Sequence, residues 1–279
     1  MTILPRLDSI GQSEGIIRTF YFYCLFIIFY KAMHPILFKI GSLNFYTHGL
    51  LAGVGIAAAA ILLYFLAKKE KLDPAHLYDW LLLSIFLGLI GAKLTYFLLY
   101  HDQFSSFWEL FQIWRGGMVS YGGFVFGGLA FFLILRLVRQ PILRWLDLAA
   151  IAFPLGLMLG RIGNIFAGDI EGIPLDSILS INGFLSVPSI ESIFLLLLFV
   201  LLLVNYDKLK KDEGLIFFTM TIVYAFARFL IDFGRAGERV LLNLSTGQVF
   251  GLFLAVSAFI YYYFIIKRKE KYGFKTGNN

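Results

Sequence analysis

Seven stretches of this chain stay largely apolar for nineteen residues or more, at 49–67, 79–100, 117–135, 145–163, 187–205, 215–233 and 248–266. A helix rising ~1.5 Å per residue needs roughly 20 such residues to cross a hydrocarbon core of about 30 Å. Within lipid every backbone N–H and C=O must be satisfied inside the segment, so stretches of this kind predict helices. The expected fold is an all-α polytopic membrane protein with seven core transmembrane helices and an external loop or head region. Composition agrees: 15% of residues are charged, against about 25% for a soluble domain. The single cysteine, Cys24, has no internal disulfide partner, and the sequence has no Cys/His cluster for zinc.

Two parts of the chain are distinguished, an N-terminal hydrophobic extension over residues 1–32 and the transmembrane domain over 33–279. Residues 16–30 are apolar but short. They read as an eighth span, an interfacial helix or a signal-like segment without a small-residue cleavage site.

Retained positive charge sets membrane orientation, and here it alternates along the chain. Fourteen Lys and Arg fall in the loops after the first, third and fifth spans and in the tail. The opposite connections hold three, Arg115, Arg235 and Arg239. The C-terminus is therefore expected in the cytoplasm, with the loop 101–116 and the segment 164–186 outside. The net charge of +6 accounts for orientation and does not call for nucleic acid.

Ionisable residues inside a span usually face a cavity, a partner or a site. Arg161, Arg228 and Arg235 sit toward the outer ends of their spans, against the charge gradient, which points to an anionic ligand such as a phospholipid head group; guanidinium offers phosphate bidentate contacts. The alternative is structural: Arg228 and Asp232 at i, i+4 neutralise one another and Arg161 snorkels to the interface. Lys93 and Glu191 read more readily as structural. The glycine pairs of GGMVSYGGFVFGG (116–128) fit close helix packing, or backbone approach to a ligand in a broken helix. In GRIGNIFAGDIEG (160–172), Arg161 and Asn164 at i, i+3 point into one site, suited to a phosphoglycerol head group.

Here the sequence resembles the bacterial prolipoprotein diacylglyceryl transferases. Their signature runs G-R-x-[G/A]-N-F-[aliphatic or F]-N-x-E-x-x-G. Gly160, Arg161, Gly163, Asn164, Phe166 and Gly172 match it; Ile165, Ala167 and Asp169 depart from it. PILFKIGSL (35–43), GAKLTY (91–96), WRGGMVSYGG (114–123), Asp147, Pro154, ARFLIDFGR (227–235) and LSTGQ (244–248) resemble further family motifs in the same order. The resemblance extends from residue 34 to about 270. It implies seven spans in the bacterial inner membrane, a cytoplasmic C-terminus and no metal or soluble cofactor. The implied activity is transfer of a diacylglyceryl group from phosphatidylglycerol to the lipobox cysteine thiol of a preprolipoprotein.

The resemblance and the charge placement assign His48, Tyr121, Arg161 and Arg228 to catalysis, and Arg161, Asn164, Gly172, Arg228, Asp232 and Arg235 to substrate binding. Two departures matter. The family's Tyr before a Gly in the first span is His48 here, and its His is Tyr121, as if the two had changed places. A phenol titrates near about 10 and an imidazole near about 6.5, so they do not simply share a role. Facing one cavity, they would keep one imidazole and one phenol there. Two rival readings are a phospholipid-binding homologue without catalysis and a small-molecule transporter; against transport stand the lack of an internal repeat and the bias of the arginines to one leaflet.

Overall fold

The computed structural model describes residues 34–273, apart from 42, 105, 113–116, 170–171, 238 and 242. The N-terminal extension 1–32 and Arg115 lie outside the described residues. A hairpin of β1 (Ile36–Ile40) and β2 (Leu43–Tyr46) leads into α1 (Thr47–Lys69). Then follow α2 (Leu77–Leu99), two short 3₁₀ turns, α3 (Ser120–Leu137) and α4 (Ile142–Ala167). A small hairpin, β3 (Ser180–Ile181) with β4 (Phe184–Leu185), precedes α5 (Val187–Val204), the single turn α6 (Tyr206–Leu209) and α7 (Leu215–Ile231). A third hairpin, β5 (Arg239–Leu241) with β6 (Leu244–Ser245), opens α8 (Thr246–Gly273).

Among the described residues six helices, α1 to α5 and α7, are long and apolar enough to cross a membrane. The seventh predicted span falls on α8, whose described apolar run, Thr246–Tyr261, is shorter. The chain is thus a mostly helical, polytopic membrane protein.

The helices associate unevenly. α1 packs along the length of α4, and α2 along α3, while α1 scarcely touches α2 and α3 scarcely touches α4. Small residues permit the close approaches, as expected where lipid supplies no hydrophobic drive between helices. A Cβ on Gly156 would lie 3.1 Å from both the Gly55 carbonyl oxygen of α1 and the Ala59 Cβ; one on Gly88 of α2 would lie 3.1 Å from the Gly123 carbonyl of α3. Of the two readings of the α3 glycines, Gly122, Gly123 and Gly127 therefore fit packing, and α3 is unbroken from Ser120.

At the end carrying the basic loops the bundle is solid. Leu63, Leu66, Leu77, Leu135, Trp145 and Ile151 are buried in one cluster with Leu198, Leu202 and Ile216, and Trp80 meets Trp145 edge-on at 5.6 Å. Asp147 of α4 accepts hydrogen bonds from the backbone N–H groups of Gly214 (2.7 Å) and Phe217 (2.8 Å). A helix start leaves such donors unsatisfied and carries a partial positive charge, so a buried carboxylate there ties α7 to α4. Arg144 pairs with Glu213 at 2.9 Å, and Lys210 with Glu70 at 3.1 Å. Partial burial pushes the Glu70 carboxyl up, but hydrogen bonds from Tyr206 and Lys210 outweigh it and hold it below the ordinary glutamate value. Burial, with Glu70 close by, pushes the Tyr206 phenol well up.

Candidate functional site

At the opposite end the gap between the two helix pairs opens into a cavity of about 930 Å³. Its polar end is built from four elements. α4 leaves the bundle through Arg161 and Asn164, one turn apart on the cavity face, and stops at Gly168, whose φ of +77° is the left-handed conformation of a helix C-terminal cap. α5 begins with Pro188 in its first turn, where the missing N–H is harmless, and brings in Glu191. α7 ends with Tyr224 and Arg228, and the 3₁₀ turn after it places Asp232 and Arg235. α8 begins under them with Gly247 and Gln248.

The charged groups form one chain. Arg161 Nε lies 2.8 Å from Glu191 Oε2, and Glu191 Oε1 pairs with Arg228 Nη1. Arg228 Nη2 reaches Asp232 Oδ1 at 3.1 Å, and Arg235 Nη1 stands 3.7 Å from the same oxygen. Arg161 also hydrogen-bonds the Tyr224 hydroxyl. The Ser245 hydroxyl donates to Asp232 Oδ2; Ser245 in turn accepts at Oγ from the Gln248 backbone N–H (3.1 Å). Glu191 is 2% exposed, Arg228 5% and Asp232 0%. Three guanidiniums and two carboxylates alternate in this chain, and a third carboxylate, Asp169, lines the same cavity. Charges this deeply buried are costly unless paired, and Arg161, Arg228 and Arg235 line the cavity as well as pairing within the chain.

Asn164 donates to Asp169 Oδ2 at 3.3 Å, while its Oδ1 is buried without a hydrogen-bond partner among the described residues. His48, in the first turn of α1, lines the cavity because Gly163 lets α4 close on it: a Cβ there would sit 3.1 Å from His48 Cα. Tyr121 enters from α3, its ring 4.9 Å from that of Phe250. Its hydroxyl and Asp232 Oδ2 crowd one side of Gly247, where a Cβ would meet both.

The structure thus gathers His48, Tyr121, Arg161, Asn164, Arg228, Asp232 and Arg235 around one cavity. Gly172 is not among its lining residues; it stands behind the site, bridging the backbone of Arg235 and packed against Leu185. Glu191, read from sequence as structural, is the carboxylate shared by two arginines. Its depth within a span was the signal; its partners, on α4 and α7, had no local trace. Tyr224 carried no signal, and Ser245 was marked only as part of the LSTGQ motif. Lys93 is buried with its ammonium 5.5 Å from the Phe104 ring centroid and 5.9 Å from that of Tyr96, and it does not line the cavity.

Below the arginines the lining turns apolar, with Ala52, Ile56, Ala59, Phe124, Ala152 and Phe153. A guanidinium cluster capping an apolar cavity between apolar helices is a setting suited to an anionic amphiphile. The sequence profile of the prolipoprotein diacylglyceryl transferases matches residues 35–264, and the chain belongs to that family. It is 26% identical over 255 residues to a phosphatidylglycerol–prolipoprotein diacylglyceryl transferase of Clostridium botulinum, covering 86% of this chain and 100% of the relative. The protein of that name from Symbiobacterium thermophilum is 27% identical over 87% of this chain and 97% of its own. The one from Wolbachia pipientis is 30% identical over 79% and 90%.

Proposed function

We propose that the protein transfers the diacylglyceryl group of phosphatidylglycerol to the cysteine thiol of a preprolipoprotein, in the cavity between the two helix pairs. The observation that carries this reading is the Arg161–Glu191–Arg228–Asp232–Arg235 chain, whose three guanidiniums line the polar end of a largely apolar cavity. The lipid phosphate sits against Arg161 and Arg228, and Asn164 on the cavity lining orients the glycerol head group. The thiol sulfur attacks the glycerol carbon, a C–S bond forms, the C–O bond to phosphate breaks and glycerol phosphate departs. Negative charge grows on the leaving phosphate, and fixed guanidiniums stabilise it without reorganising. The sulfur must be thiolate-like to attack. His48 takes the thiol proton, a role suited to an imidazole near neutral pH. The Tyr121 phenol, beside Asp232, orients the phosphate end. Asp232, Glu191 and Arg235 hold Arg228 in register, and Gly172 fixes Arg235 through the backbone.

The basic loops fit a cytoplasmic C-terminus, with the site at the outer leaflet of the bacterial inner membrane and α8 as the seventh span. The segment 164–186 and the loop 101–116 then receive the preprolipoprotein signal peptide at its lipobox. Residues 33–279 carry the activity, and residues 1–32 are a dispensable extension.

The test is rescue of bacterial cells depleted of their own transferase. The intact chain and a variant starting at Met33 should both restore growth, and Arg161→Ala, Arg228→Ala and His48→Ala should not. Tyr121→Phe should support slower growth. Failure of the intact chain despite normal membrane levels overturns the reading; growth of the His48→Ala strain at the intact chain's rate overturns the assignment of the base.

A further inference from the structure

The polar end of the cavity accounts for only part of its lining. On α1 the cavity face runs from His48 to Leu63, and on α4 from Asn164 to Ala149. Both pairs are fifteen residues apart, about 22 Å of helix. Half a hydrocarbon core is about 15 Å, so the cavity reaches past the middle of the bilayer toward the basic end. A head-group site alone does not need that depth.

The lining is apolar along this length. Beneath the arginines the walls mix Ala52, Ala59, Ala60, Ala152 and Gly156 with Ile56, Phe124, Phe153 and Leu157. The floor is formed by Leu63, which is 3% exposed, and by Leu81 and Ile85 of α2. Directly below lies the packed core with the Trp80–Trp145 pair, so the floor rests on closely packed side chains. An interior packed at crystal-like density does not stretch to admit further methylenes. Apolar walls suit a hydrocarbon chain, and the packed floor stops it. At the mouth, Asn164 is 7% exposed, with its buried Oδ1 unpartnered, so one end of the same cavity asks for a polar head and the other for a hydrocarbon tail.

We propose that the inner part of the cavity is a sleeve that measures one acyl chain of the lipid substrate, with Leu63, Leu81 and Ile85 as its stop. The inference rests on the proposed function and adds which residues set tail-length preference. The second tail leaves through the gap between the helix pairs, where α1 and α2 scarcely touch.

The experiment uses the full chain in vesicles, with phosphatidylglycerols bearing tails from lauroyl to oleoyl and a lipobox peptide as acceptor. Ala149→Phe should raise the floor and lower kcat/KM for oleoyl relative to lauroyl lipid by roughly tenfold, the discrimination a few methylenes give in an apolar pocket. Leu81→Ala should deepen the sleeve and shift preference the other way, so the two variants move in opposite directions. Ala149→Leu, a smaller intrusion, serves if the Phe variant does not fold. Equal loss on every lipid with an unchanged profile of co-purifying tails, or no shift in either variant, overturns the sleeve. A second readout needs no turnover: the tail-length profile of phosphatidylglycerol that co-purifies with each variant. Shorter tails on Ala149→Phe support the sleeve even if no transfer occurs, which would overturn the proposed function alone. Unchanged profiles in a transferring enzyme overturn the sleeve alone.

Discussion

The two ends of the bundle handle buried charge in different ways. At the basic end, Asp147 is spent on structure: both its oxygens accept backbone N–H groups at the start of α7, and Leu, Ile and Trp side chains close around it. At the other end, five charged side chains share contacts in a row, and a buried amide oxygen has no partner among the described residues. A carboxylate matched by fixed peptide donors has nothing left to offer a ligand. Arginines that share carboxylates in a row and also line a cavity keep that capacity.

Arg228→Ala should separate the two ends most sharply. It leaves Glu191 and Asp232 buried beside an unfilled space, so the thermal stability of the purified protein should fall by about 3–5 kcal/mol. Diacylglyceryl transfer by what remains folded should fall ~10²–10³-fold. Arg228→Lys should restore much of the stability and little of the transfer, because an ammonium lacks the planar fork. Full transfer by the Lys variant would show that charge alone suffices.

Glu191→Gln keeps the volume and removes the charge that Arg161 and Arg228 share. The guanidiniums then repel and drift, and displacement of a positioning contact by an ångström costs roughly 10²-fold in rate. Glu191→Asp should recover only part of this, and the loss should fall on kcat more than on KM. Unchanged kinetics would make Glu191 a structural counter-charge, as its sequence position alone suggests.

Asp147→Ala should do the reverse of Arg228→Lys. It frees two backbone N–H groups at a buried helix start, so stability should drop by about 1–3 kcal/mol, while transfer per folded molecule stays within about twofold. A large drop in turnover would mean that the ends are coupled.

The smallest effect concerns pH. Glu70 is held below the ordinary glutamate value when folded, so its contribution is present above that ordinary value and disappears as pH falls through the lowered one. Melting at neutral and at acid pH should show the native protein losing slightly more stability on acidification than Glu70→Gln. Parallel losses would remove Glu70 from the account.

Much of the fold was legible because membrane helices are specified locally: length and apolarity placed six of the spans within a few residues, although α4 runs on to Ala167 to carry Asn164 to its place. The arginines were legible for the same reason in reverse, as charges where lipid should exclude them. The glycine pairs of α3 were ambiguous, since close packing and ligand approach ask for the same missing side chain; only their facing residues on α2 distinguish the two. Glu191 was visible as an anomaly, but its partners were not, because they lie on helices that the sequence keeps apart. Gly172 matched a family motif, and its neighbours show it supporting Arg235 from behind.

By itself the sequence determined that this chain lives in a membrane, where its helices run, and which few charges contradict their surroundings, all consequences of transferring side chains one at a time between water and hydrocarbon. The tertiary structure decided which charges meet, that His48 and Tyr121 line the same space, and that the helices pair α1 with α4 and α2 with α3, leaving a cavity between them with a polar and an apolar end. Those outcomes depend on distances between residues far apart in the chain, and such distances are set by how small residues let whole helices approach.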